Sequence, residues 1–126
     1  MAPTTAALAG ILLLGLALFQ LVLALGAPLG AYAWGGRHHG RLPTRLRLAS
    51  LAAIPVLALL AAVILARGAW LGDAFADVAG WSIWFVAAYF AVNTLGNFVS
   101  RSRGERLVMA PLSLALTVLT VLTAVG

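Results

Sequence analysis

Four long apolar runs, with no charged residue in the interior of any of them, constrain this chain more than any other feature. They cover about residues 6–26, 46–66, 80–100 and 107–125. A helix of about 20 residues, rising 1.5 Å per residue, spans the ~30 Å hydrocarbon layer of a bilayer. The four runs therefore predict an all-α, polytopic membrane protein: a four-transmembrane-helix bundle with residues 1–126 as a single transmembrane domain. Composition agrees. Of 126 residues, 63% are hydrophobic and 9% are charged, where a soluble domain carries about a quarter charged. An ordinary soluble enzyme or binding domain is excluded. The first run is read as a span and not as a secretory signal, because Met1–Thr5 holds no basic residue and a signal core is only about 7–15 residues long.

Charge sets the expected orientation. All eight basic residues are arginine, with three acids, two histidines and a net charge of +5. Arginine without lysine, among many Ala, Leu and Gly, fits a GC-rich bacterial genome. Arg37, Arg41, Arg45 and Arg47 follow the first span, and Arg101, Arg103 and Arg106 lie between the third and fourth; the second connection has only Arg67, against Asp73 and Asp77. By the positive-inside rule, the first and third connections are cytoplasmic and both termini outside, in a bacterial plasma membrane. The seven inner arginines are candidate contacts for anionic head groups. Nucleic acid is not an expected partner.

Local signals refine the connections. Span one is expected to continue, kinked at Pro28, towards Trp34. Ser102-Arg103-Gly104-Glu105 matches a capping box, in which the serine caps the fourth helix and the glutamate reaches back. Trp70, Leu71, Ala74, Phe75 and Val78 share one helical face opposite Asp73 and Asp77. This spacing predicts a short interfacial helix over about residues 70–78, with Trp70 and Trp81 as aromatic anchors.

Several chemistries have no residues to run on. The chain has no cysteine, so disulfides, thiolate metal sites and thiol catalysis are excluded. Both histidines lie in one loop, which removes axial haem ligation between helices. Proton-coupled transport and voltage sensing use ionisable groups deep inside spans, and no interior candidate exists. An intramembrane serine nucleophile needs a base within reach, and Ser113 has none at its depth. His38 and His39 are adjacent, with no acid in their loop, and make a poor metal pair. No catalytic, cofactor or metal residue is expected, and the chain is not read as an enzyme.

What remains is uncharged polarity. In span three Ser82, Val86, Tyr89, Asn93, Gly96 and Ser100 follow alternating four- and three-residue steps, the stripe of a left-handed bundle helix. Asn93 and Ser113 lie about 10 Å from the arginine-bearing ends, and Gln20 at a similar depth. The expected polar layer is Gln20, Ser50, Asn93, Asn97, Ser113 and Thr117. Two uses compete: hydrogen-bonded packing between helices, which is favoured, and a pocket open to the arginine side. The glycine-arginine segment Gly35–Arg41 is likewise read as a solvated basic loop before a phosphate cradle.

By Gly26-Ala27-Pro28-Leu29-Gly30, Trp34-Gly35-Gly36, Leu42-Pro43-Thr44-Arg45-Leu46-Arg47, Asn93-Thr94-Leu95-Gly96-Asn97 and Ser100–Arg106, the chain resembles small four-span bacterial membrane proteins of unassigned function. The resemblance implies an architecture and no activity. Small multidrug exporters are similar in length, but they carry a glutamate in span one where this chain has only Gln20. Fluoride channels are similar in size, but their asparagine-glycine and threonine-phenylalanine patterns are missing. The expected function is a non-enzymatic structural or accessory subunit, or a homo-oligomer. The alternative is a passive pore or transporter for a small neutral or anionic solute.

Overall fold

The computed structural model describes all 126 residues, in helices and turns with no strand. Helices α1 (Ala2–Ala24), α2 (Thr44–Arg67) and α3 (Ala76–Phe98) run 23, 24 and 23 residues. Helix α4 (Ala110–Val125) is preceded by a π-helical segment, Glu105–Met109, and together they make a fourth span of 21 residues. All four are long and apolar enough to cross a membrane. Large apolar side chains such as Ile11, Leu14, Leu59, Val92 and Leu95 point outward, each more than 60% exposed. In water such a girdle would drive aggregation; against lipid it costs nothing.

The helices alternate up and down. α1 packs closely on α2, α3 on α4, and α1 also on α4, while the seam between α2 and α3 is thinner. One buried cluster joins all four: Ala6, Ala9 and Leu13 of α1, Leu57 and Ile64 of α2, Val86 and Phe90 of α3, and Leu116 of α4. Alanines and threonines at the contacts let backbones approach, which is how helices associate where hydrophobic burial offers little drive.

One end of the bundle gathers the termini and the second connection. Thr5 and Thr123 share a hydroxyl hydrogen bond of 2.7 Å. Arg67 donates from Nη2 to Ala124 O at 2.9 Å, a cation at the negative end of α4. Trp70 Nε1 donates to Pro3 O at 2.8 Å. The other end carries seven of the eight arginines.

Two expected extensions do not form. α1 stops at Ala24 and does not continue towards Trp34. Gly26, at φ +101, lets Ala27 N–H reach Val22 O and Gly26 N–H reach Leu23 O, a helix-ending Schellman pattern. Beyond it come two short 3-10 turns, Gly30–Tyr32 and Trp34–Gly36. Nor is there an interfacial helix at 70–78. α2 closes by the same pattern, with Ala69 left-handed (φ +69) and Trp70 N–H bonded to Leu65 O, and Gly72 turns again at φ +78. These reversals break the helical run, so residues 70–75 form exposed turns and 76–78 are simply the first turn of α3.

Candidate functional site

At the arginine-rich end the first connection folds back onto the α3–α4 hairpin. Trp34, Gly35 and Gly36 are all left-handed, at φ +53, +81 and +68. This sequence of turns presents Gly35 N–H to Glu105 Oε2 at 3.3 Å. Ser100 Oγ donates to Glu105 Oε1 at 2.6 Å, and Ser102 Oγ donates to Ala31 O of the first connection. Trp34 Nε1 donates to Ser50 Oγ at 2.9 Å. The capping box is therefore not made. Ser102 spends its hydroxyl on the neighbouring loop, and Glu105, only 7% exposed, turns inward to Ser100 and Gly35.

This folding leaves two neighbouring cavities with a shared wall. An open outer groove of about 1300 Å³ is lined by the first connection, by α3 from Ala88 to Asn97, and by Ser100, Arg101, Ser102 and Glu105 beyond it. An inner chamber of about 200 Å³ lies between the helices. Trp34, Tyr89, Asn93, Asn97 and Glu105 line both.

The predicted polar layer divides. Gln20, Asn93, Asn97 and Ser113 do meet around the inner chamber. Asn97 Nδ2 donates to Ser113 Oγ at 3.1 Å, bonding α3 to α4. Thr117 pairs with Thr94 at 3.4 Å, outside the chamber. Ser50 is fully buried under Trp34 and lines neither cavity. Asn93 is exposed and has no side-chain hydrogen bond to protein, while Gln20 Oε1 is buried with no partner at all.

The expected packing stripe of α3 is rotated. Its buried face is Ala79, Ile83, Val86, Ala87, Phe90 and Thr94; Tyr89, Asn93 and Gly96, one position away and so about 100° round the helix, open into the groove instead. Of the predicted lipid-contact arginines, Arg37 and Arg101 line the groove, and Arg41, Arg45, Arg103 and Arg106 are exposed. Arg47 is committed elsewhere, donating from Nε to Ala24 O at 3.0 Å at the C-terminal end of α1.

No known protein family, curated protein or solved structure matches the chain. What the site can do rests on its own residues. Sequence reasoning missed Glu105, Trp34 and Tyr89 as cavity-lining groups. One signal for the first was present: Glu105 is the only acid at an end that holds seven arginines.

Proposed function

We propose that this chain is a non-enzymatic membrane protein, acting as a homo-oligomer or an accessory subunit of a larger membrane complex, whose chamber at the arginine-rich end holds a small polar ligand. The carrying observation is the pair of unpartnered amides. Packing glue would bond its polar groups across helices, as Asn97 and Ser113 do. Gln20 Oε1 is buried without a partner, which costs ~1–3 kcal/mol, and Asn93 stands exposed beside the same space with no protein partner. Binding is favoured over conduction because the opposite half is filled by Ala6, Ala9, Ile64 and the Thr5–Thr123 bond.

The absence of native cysteine makes a single introduced thiol a clean probe. Asn93→Cys should react with a small water-soluble thiol reagent nearly as fast as Arg103→Cys does. Asn97→Leu should lower stability by ~0.6 kcal/mol and at most ~1.7, while Asn93→Leu leaves unfolding in bicelles unchanged. A shielded thiol in the Asn93→Cys variant, or equal destabilisation by the two leucines, defeats the reading.

The setting we propose is a bacterial plasma membrane, with the arginine-rich end in the cytoplasm and both termini outside. On intact cells an impermeant thiol reagent should label Asp73→Cys, and label Arg103→Cys only after permeabilisation. The reverse pattern would invert the orientation.

A further inference from the structure

We propose that the outer groove is the seat of a phospholipid with a primary-amine head group. The groove shares Trp34, Tyr89, Asn93, Asn97 and Glu105 with the chamber just described, and the proposal rests on the reading that this shared polar lining faces a ligand. Shape is the first argument. From Asn97 to Ala88 the groove follows α3 for about 14 Å at 1.5 Å per residue, with Ser100 and Arg101 just beyond the helix end, and its deep end includes Val92, which is 69% exposed on the lipid-facing flank. A pocket for a free solute gains nothing from a trough open sideways to hydrocarbon. A lipid fills it, with its head at the arginines and a chain along Tyr89 and Val92.

Charge is the second argument, and it selects the head group. Arg37 and Arg101 line the mouth and make no hydrogen bond to protein. Behind them lies Glu105, whose two carboxylate oxygens each accept one bond, from the neutral Gly35 N–H and Ser100 hydroxyl. A carboxylate offers about four acceptor directions, so two remain. The site thus shows both signs of charge with neither neutralised by the other. A phosphate takes the guanidinium groups, and an ammonium beside it donates to Glu105. A trimethylammonium head has no N–H to donate, and a glycerol head has no cation. One step deeper, at the depth of the glycerol esters, Asn93 supplies an amide donor with no protein partner.

The test is native mass spectrometry of the purified protein with added phosphatidylethanolamine, phosphatidylcholine and phosphatidylglycerol, and with free phosphoethanolamine as competitor. Phosphatidylethanolamine should be retained at least tenfold over the other two. Glu105→Gln should bring the three lipids level. Because a buried substitution can unfold the protein, the exposed Arg101→Ala provides a second readout and should weaken retention of all three. Equal retention of the three lipids by the native protein overturns the proposal. Competition by phosphoethanolamine at the affinity of the whole lipid also overturns it, while leaving a soluble-ligand chamber in place. If neither lipid nor phosphoethanolamine binds, this proposal fails; the chamber reading fails separately, if the thiol of Asn93→Cys is shielded or if Asn93→Leu and Asn97→Leu destabilise equally.

Discussion

Gly36→Ala is expected to destabilise the protein by ~2–5 kcal/mol and to detach the first connection from the α3–α4 hairpin. Gly36 sits at φ +68, where an L residue costs ~1–2 kcal/mol. Its new methyl would overlap Ser102 Cβ, lie 2.6 Å from Ser102 Oγ and 3.0 Å from Ala31 O. Overpacking of this kind adds ~1–3 kcal/mol. Relief requires the loop to lift, which breaks the Gly35–Glu105 and Ser102–Ala31 hydrogen bonds together. Gly35→Ala separates the two terms, since Gly35 has φ +81 and nothing within 4 Å of an added Cβ; it should lose only the conformational part. Gly40→Ala, with open space and no left-handed φ, should be neutral. The measurement is reversible unfolding in bicelles. If Gly36→Ala and Gly40→Ala fall within ~0.5 kcal/mol of each other, the loop is not seated as described.

Phe90→Ala should cost ~3 kcal/mol, the low end of the range for deleting a buried aromatic ring, because the cavity term remains while the water-transfer term is largely lost in lipid. Phe90 is 1% exposed, belongs to the cluster that joins all four helices, and lines the wall between that cluster and the inner chamber. Its ring meets Tyr89 edge-on at 5.4 Å. Lipid tails are as apolar as the bundle interior, so the loss is chiefly of packing contacts and not of hydrophobic transfer. The vacated space would extend the chamber towards Leu13 and Leu116. Phe85→Ala is the control: at 72% exposed it faces outward and should change stability little. Equal effects of Phe90→Ala and Phe85→Ala on unfolding would place the ring outside the core.

The two predictions differ in how much of their basis a reader of the sequence could find. Gly26 and Gly36 are both glycines in the first connection. Gly26 ends α1 by a pattern local to a few residues, so the signal lies within the neighbouring sequence, although the apolar run up to Gly26 and the proline at Pro28 read instead as a helix that continues with a kink. Gly36 is required by Ser102, a residue of the third connection, and no local pattern reveals that. Ser102 and Glu105 show the converse failure. Their spacing matches a capping box, yet Ala31 O and Gly35 N–H recruit them across the loop boundary.

The four spans, their alternation and the gathering of arginines at one end were determined by the sequence alone. Hydropathy over ~20 residues is a local sum, and lipid and water each act on it without regard to what the neighbouring helix contains. Helix rotation was not determined in this way. In a soluble bundle the apolar face points inward and marks itself; in lipid the outside is apolar too, so nothing in span three distinguishes a packed Phe90 from an outward Phe85. The rotation of α3 decides that Asn97 bonds Ser113 while Asn93 faces open space. Only the tertiary structure settles it, because helix association here depends on close packing of particular side chains and on a few interhelical hydrogen bonds, and both exist only once the helices have met.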